Sequence, residues 1–190
     1  MRGLTNRWKT PSTSDQKLDL VGRILDARGF ESSETRAAFL NPSMKDLEHP
    51  SALPGATKAA ALLVDAVRAK KRILIFGDYD ADGITASAVL FHIIAAASGR
   101  EGPTVYIPDR LDEGYGIRSE AIEKFSAQGI DLVITVDCGI TAVEAAEKAM
   151  DLGVSLIITD HHTFPKDGKL PNCDAIVHPA LDGNMTTPFA

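Results

Sequence analysis

Three aspartates stand at alternate positions in the segment FGDYDADGITA, residues 76–86. Asp78, Asp80 and Asp82 come directly after an apolar run and directly before a glycine, where a strand should end and a helix should begin. Carboxylates held this close repel one another strongly unless cations lie between them. The spacing therefore predicts a site for divalent metal.

Two more acidic groups follow apolar runs later in the chain. Asp137 ends the run LVITV, and Asp160 ends the run LIIT and is followed by His161 and His162. Carboxylates mixed with imidazole, without a set of thiolates nearby, favour Mn²⁺ or Mg²⁺ over structural zinc. The number of acids predicts two ions that share a bridging carboxylate, an arrangement typical of phosphoester hydrolysis.

Helix capping is the alternative interpretation of these acids. An aspartate after a strand often accepts hydrogen bonds from the first turn of the next helix. Asp82 could cap a helix that starts near Gly83, and Asp160 could cap a turn. Capping accounts for one acid at a time, however, and it leaves the alternate spacing and the Asp-His-His triplet without a reason. We therefore favour metal binding.

Strands alternating with helices must position these residues. From residue 56 onward, helical segments alternate with five short apolar segments, which are RILIFG, TVYIP, DLVITVD, VSLIITD and CDAIVHP. Nearly continuous apolar strands are typical of a parallel sheet that is covered on both faces. We predict an α/β fold, a doubly wound and mostly parallel sheet with helices on both faces. Ligands bind at the carboxyl ends of the strands in such a sheet, so the acidic groups should converge there.

A small helical N-terminal lobe is predicted over residues 1–54, before the α/β domain of residues 55–190. Its first helix lies in SDQKLDLVGRILDARGF with Ser14 or Asp15 as the cap, and its second lies in SSETRAAFL with Ser32 or Ser33 as the cap. Prolines prevent long helices in the segment that follows.

Composition narrows the class of protein. The net charge of −6 excludes nucleic-acid binding through a basic surface alone, but it leaves room for an enzyme that meets phosphates through bound cations. The two cysteines have no framework spacing, which indicates a reduced, cytoplasmic protein. The most apolar helical stretch, ASAVLFHIIAAAS, looks too short and interrupted to span a bilayer, so we expect no membrane partner.

The ordered motifs DYDADG, VDCG and DHH resemble the DHH phosphoesterase superfamily. FGDYDADGITASAVL and YIPDRLDEGYGI are similar, more narrowly, to its bacterial single-strand-specific 5′→3′ DNA exonucleases. The resemblance implies a metal-dependent hydrolase of DNA repair and recombination that releases mononucleotides from single-stranded DNA. It also implies two divalent ions, Mn²⁺ preferred or Mg²⁺, and a helicase and a single-strand-binding protein as partners.

The resemblance also implies roles for single residues. The metal ligands are Asp80, Asp82, Asp137 and His161, with Asp137 bridging, while Asp78 and Asp160 support them. The catalytic residues are Asp137, His161 and His162, and His162 faces the substrate phosphate or the attacking water. Many superfamily members have a histidine where this chain has Phe76, a position that also varies among the exonucleases.

The segment LDEGYGI has two interpretations. Arg110 and Tyr115 could bind substrate, the arginine at a phosphate and the tyrosine stacked on a base. Alternatively, its glycines only shape a turn before the helix that begins at Ser119.

The family's fourth motif would follow IVHPALDGNMTTPFA, so we expect a domain truncated before its last metal-binding motif and a chain with weak or no activity. Two other functions stay open. One is a DHH phosphoesterase acting on oligoribonucleotides, cyclic dinucleotides or other small phosphoesters. The other is a non-catalytic DHH-type nucleic-acid-binding module. The long segment before the first motif favours the exonuclease, and the retained acids disfavour the silent module.

Overall fold

The computed structural model describes residues 18–99, 102–109 and 111–181, and the chain divides into two compact units, residues 1–48 and 49–190. The first unit contains helices α1 (Leu20–Asp26) and α2 (Ser33–Leu40) and a 3₁₀ turn at Met44–Asp46. Asp19 caps α1 and Ser32 caps α2, each by accepting a backbone N–H. Ser14 and Asp15, the caps expected for the first helix, lie outside the described residues.

The second unit is a five-stranded parallel sheet with helices on both faces, which confirms the predicted α/β fold class. The strands stand in the order β2-β1-β3-β4-β5. After a 3₁₀ turn at Pro50–Ala52, the elements in chain order are α3 (Ala56–Arg68), β1 (Ile73–Gly77), α4 (Ala81–Ser98), β2 (Thr104–Tyr106), α5 (Ser119–Ala127), β3 (Leu132–Val136), α6 (Val143–Leu152), β4 (Ser155–Thr159) and β5 (Ala175–Val177).

The strands are apolar throughout because both of their faces are covered. In β1, Ile73 and Ile75 belong to the core cluster that includes residues of α3 and α4. Leu74 and Phe76 point to the opposite face and belong to the cluster that includes residues of α5 and α6. Successive side chains of a strand point to opposite faces, so one continuous apolar run supplies both halves of the core.

The order of the strands places a crevice between β1 and β3. The chain moves from β1 outward to β2, then returns past β1 to β3 and continues to β5. Ligands of open α/β sheets bind at this reversal point, beyond the carboxyl ends of the strands. Asp78 directly follows β1 and Asp137 directly follows β3, so two of the acidic groups border this crevice.

Helix α4 contains the apolar stretch that was expected from the sequence to be too short to span a bilayer. With 18 residues and a mean hydropathy of 1.4, it is long and apolar enough to cross a membrane by length and composition alone. The core helices of soluble α/β domains pass the same test. Here α4 follows β1 after three residues and buries Gly83, Ser87 and Ile94 in its own domain. In the described structure 17% of this stretch is buried, and a single helix of this kind is weak evidence for a membrane span.

Candidate metal centre

Asp78 continues the hydrogen bonding of β1 into the crevice. Its N–H donates to the carbonyl of Val136 at 3.0 Å, and its side chain is buried and accepts the N–H of Tyr79 at 2.8 Å. The first turn of α4 lies directly against it, because a Cβ built on Gly83 would come within 2.6 Å of the Asp78 carbonyl oxygen. Only glycine permits this approach, which brings the start of the helix to the end of the strand.

Asp80 is the N-cap of α4. Its Oδ1 accepts the N–H of Gly83 at 3.2 Å, and this bond is the first cause that lowers the pKa of Asp80. The helix begins at Ala81, so its cap is Asp80 and not Asp82, the residue that the capping alternative named. Asp82 lies in the first turn with its side chain 67% exposed, and its Oδ2 is 4.0 Å from His161 Nε2.

Asp137 occupies a tight turn at the end of β3. Its φ of +62° is a left-handed value that few residues other than glycine, asparagine and aspartate adopt. The side chain is buried, and Oδ1 lies 3.0 Å from His161 Nε2. Oδ2 has no hydrogen-bond partner within the described part of the chain. Burial, followed by the charge of Asp82, raises the pKa of Asp137 above its usual range.

Asp160 is buried at the end of β4, and its carboxylate is fully engaged by the protein. Oδ2 accepts the N–H of Ile140 at 2.8 Å, while Oδ1 accepts the N–H groups of His161 and His162 and the Nδ1 of His162. Burial alone would raise the pKa of Asp160, but the hydrogen bonds from His162 and Ile140 outweigh it and lower the pKa. Asp160 therefore orders the loop that carries both histidines.

The two histidines extend from this loop into the crevice in different ways. His161 is half-exposed and directs Nε2 at Asp137. His162 Nδ1 lies 2.8 Å from Asp160 Oδ1 and 3.1 Å from the hydroxyl of Tyr115. Burial opposes the charged form of His162, but the hydrogen bond to Asp160 outweighs it, so the pKa of His162 is raised. A raised pKa favours the cationic imidazolium, which suits a partner for phosphate.

Two groups of potential metal ligands meet at Asp137. One comprises Asp78, Asp80 and Asp137 and the other comprises Asp137, His161 and His162, and within each group the ligand atoms lie within 4.8 Å of one another. Oxygen and imidazole donors of this kind fit Mn²⁺ or Mg²⁺. The unpaired Oδ2 of Asp137 fits them as well, since a buried carboxylate oxygen without a hydrogen bond is costly.

The placement of the predicted residues differs from the sequence analysis in one respect. Asp78, expected to support the site, lies inside the first group, whereas Asp82, expected to bind metal, lies outside both groups, beside His161. Of the two predicted substrate residues, Tyr115 reaches His162, and Arg110 lies outside the described residues. The flanking glycines, Gly114 and Gly116, have positive φ angles, so this segment is also a glycine-shaped turn.

Sequence reasoning missed His178, which follows β5 at the same edge of the sheet. Its Nε2 lies 2.8 Å from the carbonyl oxygen of His162, and the residue is buried. The rule that identified the other groups, polar residues directly after strands, also applies to the segment CDAIVHP and would have found it.

Comparisons with known proteins indicate one family. A family model described as "DHH family, N-terminal domain" matches residues 72–187. The single-stranded-DNA-specific exonuclease RecJ of Bacillus subtilis is 41% identical over 170 residues, which cover 90% of this chain and 21% of that protein. The protein of the same name from Thermus thermophilus is 45% identical over 144 residues, which cover 74% of this chain and 21% of that protein.

A solved structure also matches. RecJ from Thermus thermophilus, in complex with Mn²⁺, gives a TM-score of 0.64 at 34% identity, covering 88% of this chain and 22% of that one. The resemblance stated from the motifs is confirmed by these matches. The chain spans 21% of the length of the two curated relatives.

Proposed function

Since the chain belongs to the DHH family, we propose that it forms the metal-binding part of a single-stranded-DNA-specific exonuclease. The proposed reaction is metal-dependent hydrolysis of phosphodiester bonds from the 5′ end, which releases mononucleotides during DNA repair and recombination. The observation that carries this proposal is the overlap of two ligand groups at Asp137, with one of its buried oxygens unpaired. The choice of single-stranded DNA as the substrate follows from the relatives, which are named single-stranded-DNA-specific exonucleases.

The proposed ligands of two divalent ions, Mn²⁺ or Mg²⁺, are Asp80, Asp82, Asp137 and His161, supported by Asp78 and Asp160. Asp82 is kept among them because its Oδ2 lies 4.0 Å from His161 Nε2, although it is Asp78 that lies within the group of Asp80 and Asp137. Ions bound there would supply positive charge that polarises a phosphodiester and favours deprotonation of an attacking water. Asp137 is the proposed bridge because it alone belongs to both groups. Asp160 keeps the histidine loop in place through the bonds that its two oxygens accept.

His162 is the proposed contact to the substrate phosphate or the attacking water. Asp160 accepts a hydrogen bond from its Nδ1, which fixes the orientation of the ring and favours its cationic form. Tyr115 borders the same ring, at a centroid distance of 5.6 Å, and half of its side chain is exposed. We propose that Tyr115 stacks on a base and that Arg110 meets a phosphate. A helicase and a single-strand-binding protein as partners, and a cytoplasmic location, are further proposals from the resemblance.

Substrate choice tests the proposed function. The purified chain is incubated with Mn²⁺ and 5′-labelled single-stranded DNA, duplex DNA or a dinucleotide, and the products are separated by size. The expected result is release of mononucleotides from single strands alone, at the weak level expected of this chain from the sequence analysis. Cleavage of the dinucleotide with intact DNA would instead assign a small-substrate phosphoesterase. Binding of single strands without cleavage of any substrate and without binding of Mn²⁺ would assign the non-catalytic module.

Substitution of Asp137 by asparagine tests the metal site. We expect Asp137→Asn to weaken Mn²⁺ binding by about 100-fold or more. Loss of a group that only supports a ligand costs roughly 10–100-fold in metal affinity, and loss of the ligand's own charge should cost at least as much. Isothermal titration calorimetry with Mn²⁺ measures the affinity, and circular dichroism verifies the fold. Asp151→Asn, which removes an exposed carboxylate from α6, is the matched control. Equal Mn²⁺ affinity in the two variants would contradict the proposed bridge.

A further inference from the structure

His178 joins three separate segments at the carboxyl edge of the sheet. Its backbone N–H donates to the carbonyl of Pro54, just before α3, at 3.3 Å. Its imidazole Nε2 lies 2.8 Å from the carbonyl oxygen of His162, and its ring packs on Phe164 at a centroid distance of 4.4 Å. Only 3% of the residue is exposed. One buried side chain thus connects the end of β5 to the loop that carries His161 and His162.

The hydrogen bonds of the imidazole define its tautomer. The N–H of Ala180 donates to Nδ1 of His178 at 3.0 Å, so Nδ1 must be unprotonated. The proton of the neutral ring is therefore on Nε2, which donates to the His162 carbonyl. Neither the opposite tautomer nor the doubly protonated ring satisfies both contacts. The surroundings thus select a single form of His178, with the donor directed at the histidine loop.

We propose that His178 is a positioning residue that holds the loop of His161 and His162 in the geometry needed for metal and phosphate binding. The effect on metal and phosphate binding rests on the proposed function, whereas the contact between His178 and the histidine loop does not depend on it. The loop has two anchors. Asp160 accepts the backbone N–H groups of both histidines, and His178 donates to the carbonyl of the second.

The two anchors hold different backbone groups of the same segment, Asp160 its N–H groups and His178 a carbonyl. Residues 160–174, between β4 and β5, contain no helix or strand. The backbone of this segment therefore lacks a regular ladder that would hold the histidines. With the His178 contact removed, the carbonyl of His162 loses its buried donor and the segment gains rotational freedom. His161 Nε2 is then less often 3.0 Å from Asp137.

Two substitutions separate the hydrogen bond from the packing of the ring. His178→Phe keeps an aromatic ring against Phe164 but removes both hydrogen bonds. His178→Gln replaces the ring by an amide whose Nε2 donor is at a similar distance from the backbone as the imidazole Nε2. Ile73→Ala is the stability control, because Ile73 is buried at the opposite end of β1 and does not touch the loop.

Mn²⁺ affinity, measured by calorimetry well below the unfolding temperature, is the first readout. We expect His178→Phe to lower the affinity by about 10-fold or more, the usual cost of losing a group that orients a ligand. His178→Gln should restore it to within about 3-fold of the original protein, and Ile73→Ala should leave it unchanged although it lowers stability. Unchanged affinity in His178→Phe, or an equal loss in the phenylalanine and glutamine variants, would overturn the proposal. Should His178→Phe not fold, His178→Asn replaces it, because its amide is too short to reach the His162 carbonyl, and an affinity equal to that of His178→Gln would overturn the proposal.

The ¹⁵N spectrum of the imidazoles is a second readout that needs no metal. We expect His178 to show the Nε2–H tautomer at neutral pH, and the ring signals of His162 to shift in His178→Phe but not in His178→Gln. A protonated Nδ1 on His178, or an unchanged His162 signal in the phenylalanine variant, would contradict the proposed positioning role of His178. If the original chain binds no Mn²⁺, the proposed function fails, and this spectrum still tests His178.

Discussion

At the scale of single residues, two buried aspartates at neighbouring strand ends have opposite electrostatics. Asp160 accepts four hydrogen bonds, and these outweigh the burial that would otherwise raise its pKa. Asp137 has one oxygen without a hydrogen bond in the described part of the chain, and burial raises its pKa. Pairs of acids with divergent pKa values usually have different tasks. Asp160 is satisfied by the protein itself, whereas the Oδ2 of Asp137 has no hydrogen-bond donor in the described residues and is available to a bound cation.

The stability of the chain in acid should depend on Asp160. Its lowered pKa contributes stability that is present above the pKa of the unfolded state, about 3.9, and is lost as the pH falls through the folded-state pKa. We expect Asp160→Asn to reduce the free energy of unfolding by about 2–3 kcal/mol at pH 7, since bonds to a charged acceptor are lost. The difference should shrink below the lowered pKa. Urea unfolding at neutral and at acidic pH measures the free energy of unfolding of the original chain and of the variant. An equal difference between the two proteins at the two pH values would contradict this assignment.

At the scale of elements, glycines bring helix starts against strand ends. Gly55 is the N-cap of α3 with φ +81°, and a Cβ there would lie 1.8 Å from the carbonyl oxygen of Ile176 in β5. The backbones of α3 and β5 are therefore in direct contact beside His178, whose N–H donates to Pro54. Together with Gly83 at the start of α4, this glycine lets the helices approach the edge where the acids lie.

Replacement of Gly55 by alanine should reduce the free energy of unfolding by more than the left-handed backbone strain alone would. Gly99, the C-cap of α4, has φ +59°, and a Cβ added there would meet no described atom within 4 Å, so it is the matched control. We expect Gly99→Ala to cost about 1–2 kcal/mol of left-handed strain. Gly55→Ala should cost roughly 3 kcal/mol or more, because the clash with a backbone carbonyl adds to the strain. Chemical denaturation measures the free energy of unfolding of both variants. Equal losses would show that the backbones of α3 and β5 can move apart at little cost, which would contradict this prediction.

The sequence of strands and helices was enough to predict that the acids converge on one edge of the sheet. It was not enough to predict which of the acids lie close enough together to share a metal ion. Continuous apolar strands imply a parallel sheet, and a parallel sheet places Asp137 and Asp160 on one edge. The roles of Asp78 and Asp82 depend on where α4 begins, because a strand alternates side chains whereas a helix rotates them by about 100° per residue. A boundary shifted by one residue changes the result. His178 directly follows a strand, as the acids do, but a single histidine does not stand out by spacing and was passed over.

At the scale of the whole molecule, the charge of the chain opposes its proposed substrate. The net charge is −6, and the acidic residues of the centre add locally to the repulsion of a phosphate backbone. Basic nucleic-acid-binding proteins attract DNA by releasing its counterions, which makes their affinity steeply dependent on salt. This chain lacks that excess of basic charge, so bound cations have to supply the attraction.

Binding of single-stranded DNA should therefore require divalent metal. With a nuclease-resistant fluorescent strand, we expect no anisotropy change in the presence of a chelator and a clear change when Mn²⁺ is added. The slope of log affinity against log salt should be shallow, on the order of −1 to −3, because few lysine or arginine contacts to phosphate are made. Asp137→Asn should remove the response to Mn²⁺. Tight binding in chelator with a steep salt slope would contradict a cation-mediated interface.

The left-handed turn at the end of β3 has a consequence for how this protein can vary. The backbone at residue 137, with φ +62°, is tolerated by glycine, asparagine and aspartate and is strained for most other residues. Among these three, only aspartate carries an anionic oxygen. A conformational requirement and a chemical one thus overlap in a single amino acid, which leaves almost no room for neutral drift at this position. Most replacements would damage the turn as well as the ligand, and asparagine alone would remove the charge while preserving both the turn and the shape of the side chain.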